Sequence, residues 1–329
     1  MTRDHPKNQP IRVALISNPT SGRNERHGLL GGVHDLVRGH PTVAHFQERT
    51  YDGIVKATRT AMADEVGILA VNGGDGTVQA VLTSMLGAPV GSLPVLAVLA
   101  GGTTNTTARN VGYGEAPLAA LERVLTGSAA GVLAGTVERR PVLRADADGD
   151  SQFGMMFGAG AVYHGIVFAR DQLAARGVRG QFGAGLALAT FLMKAIRGKD
   201  GPLAQPLEAE IFADGVALPS VPYLGMLAST MDRQFLGLCP YWGVGPGGIR
   251  FSSMRHQPRH LARIIVPILR ARPSRWLVPE FGYRSLNAHD ITLQFSGGFT
   301  LDGELFEPAR RARRVALTAR QSAYFLRAP

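Results

Sequence analysis

The chain has 329 residues, 45% of them apolar, a single cysteine and a formal net charge of +10. That length suits two domains of ordinary size, and a lone Cys239 excludes an intrachain disulfide framework and fits a reducing compartment. The basic excess, mostly arginine after residue 139, calls for an anionic partner or reflects a GC-rich coding bias. With no helix-turn-helix, zinc or RNP-type pattern, nucleic acid is the less attractive partner.

The polar start, MTRDHPKNQP, reads as neither a signal peptide nor an anchor. The apolar stretches 183–196 and 261–269 fall short of the roughly 20 residues of a membrane span. No transmembrane helix is expected.

Residues 11–16 read as a strand that ends in Asn18-Pro19-Thr20-Ser21-Gly22-Arg23. Small hydroxyl and amide side chains there suit phosphate oxygens, and Arg23 can add a charge-assisted bond. The plainer reading is a loop capping the next helix. A helix (29–37), a strand (42–46) leading to Thr50, and a helix (54–62) follow. A buried strand from residue 68 then runs into Asn72-Gly73-Gly74-Asp75-Gly76-Thr77, with helical spacing from Thr77 onward. Its glycines are expected to take φ > 0 and to let the main chain approach a ligand. Asp75 is the odd member, since a carboxylate repels phosphate unless a cation or hydroxyl intervenes. A fourth strand (93–99) breaks at Gly101-Gly102-Thr103-Thr104-Asn105. Alternation at this spacing predicts a doubly wound, mostly parallel sheet, whose ligands sit outside the carboxyl ends of its strands. Four polar or glycine-rich turns converge on that rim.

From about residue 131 the pattern changes to antiparallel strands (135–144, 153–159, 207–214, 223–230), with a hairpin signal at Asp214-Gly215 and a helical stretch at 182–197. The expectation is a nucleotide-binding α/β domain (1–134) and a β-rich, sandwich-like domain (135–314). Residues 261–270, with Arg272, Arg275 and Trp276, mix basic, apolar and aromatic side chains. They suit either a lipid interface or a helix packed on its own domain. Strands at 291–295 and 299–301 lead to Asp302-Gly303-Glu304, which is either a hairpin tip or a source of a general base or a link to Mg²⁺. No His/Cys cluster has zinc-site spacing, and no serine is set up as an elbow nucleophile.

In order and spacing, Asn18 to Gly22, Gly73 to Thr77, Gly102 to Asn105 with Ala108-Arg109, and Asp302 to Glu304 resemble the diacylglycerol kinase catalytic-domain family, which includes bacterial soluble lipid kinases and, more distantly, sphingosine and ceramide kinases. Gly158-Ala159-Gly160-Ala161 looks like the glycine turn that opens that family's second domain. The resemblance implies an ATP-dependent lipid kinase acting on a diacylglycerol-like hydroxyl, with its active site in the cleft between the domains. ATP would be held by Asn18, Ser21, Gly22, Arg23, Thr50, Gly73, Gly74, Asp75, Gly76, Thr77, Gly102, Thr103 and Asn105. Glu304 would be the proton acceptor, with Asp302 and Asp75 as further catalytic residues, and Asp75 an indirect ligand of Mg²⁺.

The resemblance also implies that residues 315–329 return to the first domain. The expected setting is cytoplasmic and peripheral on an anionic membrane, with the lipid substrate as partner; a homodimer stays open. Carboxylates usual in the family are replaced at Ala80, Thr106, His164 and Pro246, while the glycine framework and Asp302-Gly303-Glu304 remain, which implies an intact nucleotide cradle, a compromised structural metal site and an altered acceptor site. Two alternatives remain: an NAD kinase-like enzyme, which shares the Gly73–Thr77 turn, and a nucleotide- or lipid-binding homologue with weak catalysis.

Overall fold

A computed structural model describes residues 9–88, 91–113, 116–168, 170, 205–234, 238–270, 272, 274–309 and 311–327. The helix expected at 182–197 lies outside these residues. The chain divides into two compact units, 1–141 with 321–329, and 142–320.

In the first unit, strands β1 (Val13–Ser17), β2 (Ala44–Gln47), β3 (Ile68–Gly73) and β4 (Val95–Ala100) form a parallel sheet in the order β2-β1-β3-β4. Every residue of β1, β3 and β4 is buried, as expected of a parallel sheet covered on both faces. Helices α1 (Gly22–His27) and α2 (Leu29–Arg38) lie between β1 and β2, α3 (Tyr51–Ala63) between β2 and β3, and α4 (Asp75–Leu86) between β3 and β4. Helices α5 (Thr106–Val111) and α6 (Pro117–Ala129) follow β4. One core joins Leu15, Ile68, Ala70, Ala97 and Leu99 to Val33 of α2 and to Leu121, Val124 and Leu125 of α6. Helices α3 and α4 pack on each other, and each also contacts the sheet. The chain leaves β1 for β2 on one side and returns to β3 on the other. In open α/β sheets ligands lie at such a reversal, here outside the carboxyl ends of β1 and β3.

The second unit is antiparallel. Strand β5 (Thr136–Ala147), which enters it at Val142, pairs with β6 (Asp150–Gly154). Strand β7 (Met156–Gly160) is followed by α7 (Ala161–Phe168), β8 (Leu207–Ala213), β9 (Val216–Ala217), β10 (Pro222–Ser229), β11 (Ile249–Arg255) and helix α8 (Leu261–Leu269). Then come β12 (Tyr283–Ala288), β13 (Asp290–Phe295), β14 (Phe299–Leu301), β15 (Glu304–Phe306) and β16 (Arg313–Arg327). One run of strands is β15-β14-β7-β10-β11-β12 and another is β8-β13-β16, and their inner faces share a core of Phe157, Ile211, Phe251, Leu293, Phe299 and Leu317. Val315 and Leu317 of β16 lie in this core, whereas Phe325 pairs with Leu96 of β4 and Leu326 lies in the core of the first unit.

Two features differ from the sequence reading. The strand expected at 153–159 is broken at Met155, because Gly154 pairs with Leu143 while Met156 pairs with Ser229, so the chain changes sheets between them. Strands β11 and β12, each with several half-buried residues, gave no clear period in the sequence. The Asp214-Gly215 hairpin is present, with φ of 48° and 81°, the geometry of a type I′ turn. Among the described residues no helix is long and apolar enough to cross a membrane.

Candidate active site

The three turns at the rim of the first unit are tied into one body. After β1, Asn18 Oδ1 accepts the Thr20 amide and hydroxyl at 3.0 and 2.8 Å, which closes the Asn18–Ser21 turn. Asn18 Nδ2 donates to Thr77 Oγ1 at 3.1 Å, and Ser21 Oγ accepts the Gly74 amide at 3.2 Å. These two bonds fasten the first turn to the second. The Arg23 amide donates to the Gly101 carbonyl at 3.0 Å, fastening the first turn to the third. Asn24, which the motif reading passed over, donates to the carbonyls of Asn18 and Asn72 at 2.8 and 3.2 Å. Its only sequence signal was an amide at the start of a helix.

The glycines of the second turn do not take φ > 0; Gly74 has φ −91° and ψ −177°, and Gly73 and Gly76 are not left-handed either. Their role is close approach. A Cβ on Gly102 would lie 2.3 Å from the Gly74 Cα, so the second and third turns meet backbone to backbone. Asn105, itself left-handed at φ 51°, closes the third turn by accepting the Gly102 amide and donating to the Gly102 carbonyl. Thr103 lies within that turn and is half-buried.

Asp75 is the carboxylate of these turns, and it faces α5. Its Oδ2 accepts the Thr104 hydroxyl at 2.7 Å and the Thr106 amide at 3.1 Å, and its Oδ1 accepts the Thr107 amide at 2.8 Å. It therefore caps the helix after the third turn, with one acceptor position left on Oδ1. The amides of Asp75, Gly76 and Thr77 form the first turn of α4 and find no acceptor among the described residues. Such a helix start presents donors and a partial positive charge to an anion. Thr50 lies at the end of the strand-to-helix loop, where its hydroxyl accepts the Gly53 amide at 3.1 Å and caps α3.

Beneath the rim, His45 bonds Ser17 Oγ through Nε2 at 3.0 Å, and His34 lies 5.5 Å from it ring to ring. Burial, and then the neighbouring His34, lowers the His45 pKa below 6.5, and burial lowers that of His164 as well. A histidine kept neutral by the fold takes up a proton on unfolding, so its share of stability is complete above pH ~6.5 and lost as pH falls through the lowered folded value. His45→Gln should therefore flatten the fall in melting temperature between about pH 6.5 and 5.

The second unit holds Asp302 and Glu304. Asp302-Gly303 is a type I′ hairpin tip, φ 50° and 91°, joining β14 to β15. Asp302 is 8% exposed, and its two carboxylate oxygens accept the Met155 and Met156 amides at 2.8 and 2.9 Å. These are the residues where the chain changes sheets. Asp214 likewise accepts the His289 and Asp290 amides, each at 2.8 Å, so the carboxylate of an Asp-Gly tip twice serves as a clamp in this unit. Glu304 is exposed on β15 and bonds no described side chain. Asp302→Ala should leave two amides without acceptors and cost about 2–3 kcal/mol in a denaturant titration.

An apolar cavity of about 160 Å³ lies in the same unit. Ala161 and Val162 of α7, Leu224 to Leu227 of β10, Trp242, Ser253 and Met254, and Leu261, Ile265 and Ile268 of α8 line it. Sequence reasoning did not find it, because the lining comes from five separated segments. Among the described residues no three His, Cys, Asp or Glu side chains cluster as metal ligands.

The fold so built is a mixed α/β protein with a parallel N-terminal sheet and an antiparallel β-rich region. Residues 12–137 match the family model described as the diacylglycerol kinase catalytic domain, so the resemblance read from the motifs is borne out there. Over those residues the chain is similar to a kinase catalytic domain.

Solved structures share the fold. A putative diacylglycerol kinase from Bacillus anthracis str. Sterne is 19% identical with a TM-score of 0.67, covering 99% of this chain and 98% of its own. A second structure with that description, from the same organism, is 18% identical at TM-score 0.67, covering 98% and 99%. Yeast NADH kinase, solved with NADH, is 12% identical at TM-score 0.52, covering 97% of this chain and 84% of its own. No curated protein matches the sequence.

Proposed function

We propose that the protein transfers the γ-phosphoryl group of ATP to the hydroxyl of a lipid resembling diacylglycerol. The observation that carries the lipid over a dinucleotide acceptor is the cavity in the second unit, whose lining is almost wholly side-chain hydrocarbon. An acyl chain matches it, and a nicotinamide ribose would find few polar partners there.

In this reading the amides of Asp75, Gly76 and Thr77 bind ATP phosphate oxygens, and the interlocked turns hold those donors fixed. The acceptor hydroxyl oxygen bonds to the γ-phosphorus as the bond from that phosphorus to the β-bridging oxygen breaks and ADP leaves. The hydroxyl proton passes to the Glu304 carboxylate. Asp302 is a positioning residue, because both its oxygens are engaged by backbone amides.

The residues present fit Mg²⁺ through Asp75, whose Oδ1 keeps one acceptor position for a metal-bound water. Mg²⁺ bound there would offset phosphate charge. The test is incubation with γ-labelled ATP and a total lipid extract, with NAD in a parallel reaction. Label in a lipid product supports the proposal; label in NADP with none in lipid overturns it in favour of the NAD kinase reading.

A further inference from the structure

We infer that α8 is the seat by which the protein docks on an anionic lipid surface, with its outer face toward the headgroups and its inner face toward the cavity. The inference rests on the lipid-acceptor reading for what the docking serves. Leu261, Ile265 and Ile268 turn inward to the cavity. The opposite face carries Arg263, Val266 and Arg270 at spacings of three and four, one side of a helix. Val266 is 53% exposed, a large apolar side chain placed between two arginines.

The charge around it is one-sided. Residues 255 to 284 contain seven arginines (255, 259, 263, 270, 272, 275 and 284) and one carboxylate, Glu280. Arg259, Arg263, Arg270, Arg272 and Arg275 are exposed, and none forms an ion pair with a described residue. Trp276 gathers part of this set. The guanidinium carbons of Arg263 and Arg275 lie 5.5 and 4.7 Å from its ring centre, and the His260 ring is 4.4 Å away. A Trp flanked by stacked arginines beside an outward valine has the chemistry of an interfacial helix, in which apolar insertion and attraction to anionic headgroups act together. A protein partner would need carboxylates against at least five unpaired guanidiniums, whereas an anionic bilayer supplies that charge at any orientation.

The test is cosedimentation of the full chain, without ATP, on phosphatidylcholine vesicles with and without about 30 mol% phosphatidylglycerol. Binding is expected only with the anionic lipid, weakening as salt is raised. The R263Q/R270Q/R275Q variant should lose roughly a hundredfold in partitioning, from about fivefold per arginine. Val266→Glu should lose a further part, and Val266→Leu should retain binding. Arg38→Gln, which removes an exposed arginine of the first unit, should bind as the parent does. Equal binding to neutral vesicles, unchanged binding by the triple variant, or retention of duplex DNA without vesicle binding would each overturn the inference. Because binding is read without turnover, intact α8-dependent docking beside a failed kinase assay would refute only the proposed reaction.

Discussion

Glu304→Gln is expected to lower phosphoryl transfer by about 10²–10⁴-fold while leaving ATP affinity within twofold or so of the parent. Within the Asp-Gly-Glu tip only one carboxylate is free of backbone partners among the described residues. Asp302 has both oxygens committed to the Met155 and Met156 amides, whereas Glu304 is exposed and unbonded by described groups, free to receive a proton. Glutamine keeps the size and the position but cannot take the proton. Rapid-quench measurement of turnover, with ATP affinity by calorimetry, separates the two effects. Transfer within threefold or so of the parent would remove Glu304 from the chemistry.

Asp75→Ala is expected to damage both stability and ATP binding, because this carboxylate holds the third turn against the second. Its loss strands the amides of Thr106 and Thr107 and the Thr104 hydroxyl, at a cost of about 3 kcal/mol in a denaturant titration without metal or nucleotide. ATP affinity should fall more than about tenfold, since the α4 amides are no longer held in place. If Asp75 acted only through a metal ion, the metal-free stability would not change. That contrast separates a residue that builds the cradle from one that merely contacts its contents.

The rim was the most legible part of the chain. Glycines 73, 74 and 102 interrupt apolar strands abruptly, and lack of room for a Cβ, against backbone at 74 and 102 and against the Thr77 side chain at 73, is one of the few reasons for glycine there. The sign of φ was misread, because the sequence cannot separate a glycine needed for torsion from one needed for space. The part Asp75 plays was hidden for another reason: two of its three partners, 31 and 32 residues away, are backbone amides, which leave no mark on residue identity. The break at Met155 was equally silent, being imposed by Asp302, 147 positions distant. Helix α8 showed its composition in the sequence but not which residues face inward. Its inner residues pack on the second unit, while Val266 and the arginines remain outside.

In the proposed reaction the cavity in the second unit receives the chain of the lipid that is phosphorylated. Leu227 of β10 lines it and is only half-buried, so Leu227→Trp should fill the space without disturbing the core. The direct measurement is label transfer from ATP to a total lipid extract by the parent and by Leu227→Trp, with melting temperature and ATP affinity compared in parallel. The expected result is a labelled lipid from the parent, a large loss of that product from the variant, and unchanged ATP affinity. Equal labelling by the two proteins, or no labelled lipid from the parent, would contradict the claim.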